Sequence, residues 1–155
     1  MGEPRWLDER EMAAWMSFLE ASHLVTRRVE QRLREQADLS QPQYEILVRL
    51  ADAPDGEMRM SQLAEEIVTS KSGLTYQVAR LEKAGLVRRR RCPEDDRGIN
   101  AVLTEQGRRT LAETAPDHVA LVRSSLIDLL DADQLDSLTE SMRTVARAHR
   151  GRGEG

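Results

Sequence analysis

Four arginines in a row, Arg88 to Arg91, stand just before Cys92 and a charged turn, Pro93-Glu94-Asp95-Asp96-Arg97-Gly98. Guanidinium groups crowded in this way are chemistry for anions, because each is a planar fork of donors that can grip two phosphate or carboxylate oxygens at once. The residues before them sharpen the reading. From Lys71 to Arg91 there are seven basic residues (Lys71, Arg80, Lys83 and the four arginines) against one acid, Glu82. The compensating acids lie in Glu11 to Glu35 and Asp128 to Glu140, so a net charge of −4 hides a strongly cationic segment. That distribution fits a polyanion bound through one face of the molecule.

Periodicity supplies the elements that must carry these groups. Leu63, Ala64 and Ile67 are followed by a polar break, Val68-Thr69-Ser70, and then by Leu74, Val78 and Leu81 at one-face helical spacing. This is a helix-turn-helix pattern. The second helix is capped by Ser70 or Ser72 and stops at Gly85, and Leu86-Val87 lead into the arginine strand and a hairpin tightened around Pro93 and Gly98.

With Leu74, Val78 and Leu81 turned inward, Ser72, Thr75, Tyr76, Ala79, Arg80 and Lys83 lie around the opposite surface. Ser70, Lys71, Ser72, Thr75, Tyr76, Arg80 and Lys83 are therefore the candidate contacts of a recognition helix. Their hydroxyl, ammonium and guanidinium groups donate to phosphates or base edges, and Tyr76 offers an apolar face to a thymine methyl. The hairpin adds Arg88, Arg89, Arg90, Arg91, Asp95, Asp96 and Arg97. Arg97, read at the hairpin tip, suits a narrow minor groove, with a neighbouring Asp orienting its guanidinium or pairing with another Arg. Strand alternation turns about half of the four arginines toward the nucleic acid and the others to the sheet's other face or against acids. The whole segment reads as a winged module for double-stranded DNA.

The remaining chain reads as helices. Leu7-Asp8 to Gln36 has no Gly or Pro and places Met12, Trp15, Phe18 or Leu19, Val25, Val29 and Leu33 at helical steps. That helix is longer than a small core can cover, so part of its apolar stripe is expected to meet a partner. A second helix starts behind Ser40 and ends near Pro54-Asp55-Gly56, and a third opens at Arg59-Met60-Ser61 with Ser61 as its cap. Thr104 caps a helix expected to reach about Leu130 with Pro116 inside it, and Asp131 to Asp133 cap a last helix ending near His149. The expected organisation is an N-terminal dimerisation helix over 1–38, the winged region over 39–104, C-terminal dimerisation helices over 105–150 and a disordered tail over 151–155, one domain overall. The expected fold is mainly α with a small β-hairpin wing.

Composition agrees with helices: 39% of the 155 residues are apolar, 32% are charged, and five aromatics are few for an all-β core. No apolar run approaches the roughly 18 residues needed to span a bilayer, and MGEPRWLDER is acidic and polar, so a cytoplasmic protein without a membrane partner is expected. The single cysteine, Cys92, excludes an internal disulfide, and its neighbour Arg91 favours the thiolate, which makes Cys92 a candidate redox group. His23, His118 and His149 have no partner at a metal-ligand spacing, and no nucleophile–base pair, phosphate loop or paired-carboxylate motif is present. No metal, no cofactor and no enzymatic activity are expected.

Leu63-Ala64, Ser70-Lys71-Ser72, Leu81-Glu82-Lys83-Ala84-Gly85-Leu86-Val87, Asp95-Asp96-Arg97-Gly98 and Leu103-Thr104 form a series. In that order and spacing, over nearly the whole chain, it resembles the MarR family of bacterial transcriptional regulators. The resemblance implies a homodimer with interdigitated N- and C-terminal helices, and two winged modules that read a palindromic operator, as a repressor would. It also implies a small aromatic or phenolic effector held between the dimer helices and the winged module, for which Trp15, Phe18 and Tyr44 are the candidate lining. One residue departs from the pattern: the family commonly has Arg where this chain has Tyr76. Relatives that sense oxidants carry their thiol in the N-terminal helix, whereas Cys92 lies at the edge of the wing. Two other functions fit the same residues, a winged-helix module that docks an acidic protein and a redox-sensing regulator acting through Cys92.

Overall fold

The computed structural model describes residues 2–150, so the tail over 151–155 lies outside the described residues. Six helices and three short strands follow in the order α1 (Glu9–Ala37), α2 (Gln41–Asp52), β1 (Glu57–Arg59), α3 (Met60–Glu66), α4 (Lys71–Lys83), β2 (Val87–Cys92), β3 (Asp95–Leu103), α5 (Glu105–Ser125) and α6 (Ala132–Arg150). The chain divides into two compact units, one ending at His118 and the other beginning at Val119.

Local rules explain most boundaries of the first unit. Asp8 accepts the Glu11 N–H at 2.8 Å while the Glu11 carboxylate accepts the Asp8 N–H at 3.0 Å, a reciprocal cap that starts α1. Ser40 and Gln43 repeat the arrangement at the start of α2. Thr104 starts α5 by accepting the Gly107 N–H at 3.0 Å, and its hydroxyl donates to the Gly85 carbonyl at 2.7 Å, which ties α5 to the end of α4. The core is Ile46, Leu47 and Leu50 of α2, Leu63 of α3, Leu74, Val78 and Leu81 of α4, and Val87 and Ala101 of the strands. Of α1 only Val29 and Leu33 are buried.

Four details differ from the reading of the sequence. The wing is part of a three-stranded antiparallel sheet in the order β1-β3-β2, because Glu57, Met58 and Arg59 pair with Val102, Ala101 and Asn100. Three residues are too few to show alternation, so β1 left no pattern. Chain continuing directly from β1 into α3 makes Arg59 the N-cap position, with no side-chain cap bond, in place of Ser61. The hairpin reverses at Pro93-Glu94, and Arg97 lies beyond it inside β3. There the register jumps from Cys92–Asp95 to Arg91–Ile99, leaving residues 96–98 as a bulge in place of the expected tip. Finally, α5 stops at Ser125, and a 3-10 turn over Ile127–Leu129 occupies the segment expected to continue it.

In the second unit, Asp131 accepts the Gln134 N–H at 2.9 Å and Gln134 returns the bond to the Asp131 N–H at 3.0 Å, which starts α6. Leu138, Met142 and Val145 of α6 are exposed.

Candidate nucleic-acid interface

The first turn of α4 is set by Ser70, whose hydroxyl accepts the Gly73 N–H at 3.0 Å. Of the two candidate caps, Ser70 takes the position and Ser72 lies beside it, with hydroxyls 3.3 Å apart. The far end closes when Leu86 N–H reaches back to the Leu81 carbonyl at 3.0 Å. Gly85, at φ +80, makes the required left-handed step. α3 closes in the same manner, with Thr69 N–H on the Ala64 carbonyl at 3.1 Å, but there the left-handed residue is Val68 at φ +53.

Between these ends α4 buries Leu74, Val78 and Leu81 and exposes Lys71, Ser72, Thr75, Tyr76, Arg80 and Lys83. Some of the exposed polar groups are already engaged. Thr75 donates its hydroxyl to the Lys71 carbonyl at 2.8 Å. Arg80 donates to the Tyr76 hydroxyl at 3.5 Å, and its guanidinium carbon stands 5.8 Å from the centre of the Tyr76 ring. Gln77, on the helix's half-buried side, accepts from Gln43 of α2 at 3.0 Å and so fixes the roll of α4 against α2.

The four wing arginines divide in two, though not by simple alternation. Arg89 grips Glu82 of α4, with its side chain at 2.9 Å and its backbone N–H at 3.0 Å. Arg90, on the opposite face of β2, forks onto Glu57 of β1, where Asn100 of β3 also donates at 3.1 Å. Both carboxylates are held below the usual range by these donors, Glu82 by Arg89 and Glu57 first by Arg90 and then by Asn100. Arg88 and Arg91 have no acid partner among the described residues, so each face of β2 carries one arginine engaged within the sheet region and one facing solvent. Asp95 accepts the Arg97 backbone N–H at 3.0 Å and pairs with the guanidinium of Arg59, and both lower its pKa, the backbone donor more. It therefore orders the bulge and leaves the Arg97 side chain free. Asp96 is exposed without such a partner among the described residues.

Arg59, Lys71, Thr75, Arg97 and Gly98 line a cleft of about 310 Å³ between the wing and the start of α4. Arg59 was not apparent as part of this surface from the sequence, since its place depends on β1; nor were the acids Glu57 and Glu82, whose partners lie 33 and 7 residues away.

The other candidates fall elsewhere. Trp15 and Phe18 are half-exposed neighbours on α1 with ring centres 6.1 Å apart. Tyr44 is buried and stacked on His118 of α5 at 4.1 Å. Burial raises the Tyr44 pKa and lowers that of His118, whose buried Nε2 has no hydrogen-bond partner among the described residues. Cys92 is partly buried at the end of β2. The described residues contain no group of three or more His, Cys, Asp or Glu placed to hold a metal, and no helix long and apolar enough to cross a membrane.

A helix-turn-helix whose second helix stands beside a cationic β-wing defines a winged-helix protein of the nucleic-acid-binding class. Residues 39–99 match the MarR family model. The structure superposes on that of Sco3205, a MarR family transcriptional regulator from Streptomyces coelicolor in complex with DNA, with a TM-score of 0.91 and 42% identity over 94% of this chain and 91% of that one. AbsC, a MarR family regulator from the same organism, gives 0.92 and 43% over 96% and 99%. An uncharacterised HTH-type regulator of Bacillus subtilis, YfiV, is 33% identical over 114 residues, 72% of this chain and 68% of the relative. The chain belongs to the MarR family of DNA-binding transcriptional regulators.

Proposed function

We propose that the chain is a homodimeric repressor, acting in the cytoplasm on a palindromic double-stranded operator. α4 enters the major groove and the wing follows the backbone into the adjacent minor groove. The observation that carries this is the set of exposed cations on α4 and the wing that make no salt bridge among the described residues: Lys71, Arg80, Lys83, Arg88, Arg91 and Arg97. Each phosphate they neutralise releases a condensed counterion, so binding weakens steeply with salt. Three of the neighbouring acids, Glu57, Glu82 and Asp95, are engaged by Arg90, Arg89 and Arg59. The likeness to Sco3205, a regulator crystallised in complex with DNA, supports DNA as the partner.

Dimerisation is supported separately in each unit. α1 exposes Met12, Trp15, Met16, Phe18 and Leu24, and α6 exposes Leu138, Met142 and Val145. Apolar stripes of this length on soluble helices mark a protein partner. A second chain with the same stripes is self-complementary. On this reading Trp15 and Phe18 serve first as dimer contacts, and Tyr44 is packed against His118. Selection of bound duplexes from a random library at two salt concentrations tests the proposal. Enrichment of a palindrome, lost at high salt, is expected; binding without enrichment would overturn it.

A further inference from the structure

α4 itself narrows which side chains choose the bases. Ser70 is engaged as the cap, the Thr75 hydroxyl on the Lys71 carbonyl, and Gln77 on Gln43. Lys71 and Lys83 stand at the two ends of the helix. In the middle remain Tyr76 and Arg80, one turn apart on the exposed surface, with Arg80 as the helix's one guanidinium. They are in contact: the Arg80 guanidinium carbon is 5.8 Å from the Tyr76 ring centre and Nη1 donates to the ring hydroxyl at 3.5 Å.

We propose that Tyr76 is a specificity-determining residue, which holds the Arg80 guanidinium in one orientation and sets its own ring against a thymine methyl, so that the pair reads a guanine and a thymine within two base steps of each other. This deepens the DNA-binding reading above and rests on it. An unrestrained arginine on a helix surface samples many rotamers. A cation over an exposed aromatic face biases that population about two- to fivefold, and more once the groove excludes water. The oriented fork matches the O6 and N7 acceptors of guanine, and the apolar ring face suits the thymine methyl. Four residues of helix advance about 6 Å, under two base steps of about 3.4 Å, which sets the separation.

The experiment takes the duplex selected by the full-length wild-type protein and replaces each thymine by uracil, which lacks the methyl, and each guanine by 7-deazaguanine, which lacks the N7 acceptor. These duplexes are titrated against wild type, Tyr76→Phe and Tyr76→Ala. One uracil is expected to weaken wild type severalfold, and one 7-deazaguanine within two steps of it about tenfold. Tyr76→Phe, which keeps the ring, retains both penalties, and Tyr76→Ala loses the first and most of the second. Tyr76 is 59% exposed, so unchanged thermal unfolding should show that the variants keep the fold. Penalties in Tyr76→Ala equal to those of wild type would overturn the pair while leaving the DNA-binding reading standing. A wild-type protein that selects no sequence would overturn both, and loss of both penalties in Tyr76→Phe would overturn the role of the ring face.

Discussion

Val68 holds a left-handed backbone, φ +53, in the turn between α3 and α4, where α4 ends on Gly85 in the same role. For a β-branched residue that conformation costs about 1–2 kcal/mol, and at 73% exposure the side chain gains little from packing. Val68→Gly removes the strain but loosens the unfolded chain by about 0.5–1 kcal/mol, so chemical denaturation should show stability higher by up to about 1 kcal/mol. An equal or lower midpoint would mean that Val68 makes contacts that offset its strain. In the proposed complex the cations on α4 and in the wing would have different jobs. Arg97→Ala should weaken binding to every sequence alike and flatten the dependence of log affinity on log salt by about 0.9 for each chain bound, about 1.8 for the proposed dimer. Arg80→Ala should cost about 1–3 kcal/mol on the selected site and also relax its sequence preference. Titrations of both variants on selected and scrambled duplexes check this, and losses of the same size with preference unchanged would remove Arg80 from base readout.

Between elements, the Arg89–Glu82 pair joins β2 to α4, the Arg90–Glu57 pair joins β2 to β1, and Arg59–Asp95 anchors the bulge that carries Arg97. Such exposed pairs contribute under about 1 kcal/mol each to stability, but Arg89–Glu82 links the wing directly to α4. Glu82→Gln should therefore change the unfolding midpoint little and weaken DNA binding severalfold; unchanged affinity would show that the wing is positioned without it. Acid should act in two windows. His118 has its pKa lowered below 6.5 by burial, so between its folded value and 6.5 the unfolded chain binds the extra proton, and stability falls as pH drops through that range. Glu82 and Glu57 are depressed below 4.5, so their contribution is present above 4.5 and lost as pH falls through their folded values. Unfolding followed against pH should show both, and His118→Phe should abolish the first slope only; persistence of that slope would place its source elsewhere. The helices were legible because Leu74, Val78 and Leu81 repeat at one-face spacing and Ser40, Ser70 and Thr104 cap by local bonds. The division of labour among Arg88 to Arg91 was not, because it depends on Glu57 in β1, a strand of three residues that pairs with Asn100, Ala101 and Val102 far along the chain. Arg97 moved from the tip to the bulge for a related reason: the register shift is a property of paired strands, and neither strand alone encodes it.

At the scale of the whole molecule, one chain carries one recognition helix and one wing, and a single winged module reads too few base pairs to choose a site in a genome. The apolar residues exposed on α1 and α6 are where the proposed second copy would pack. In the proposed dimer, two-fold symmetry would call for a palindrome, with half-site centres about 34 Å apart, one turn of the duplex. Because this geometry follows from the recognition helix, the wing and dimerisation acting together, the most direct single measurement is a hydroxyl-radical footprint of the protein on its selected duplex, with stoichiometry fixed by titration at saturating DNA. Two protected segments on one face of the duplex, about one helical turn apart, at two chains per duplex, are the predicted result. Protection of one segment by one chain, or even protection without position, would contradict the account.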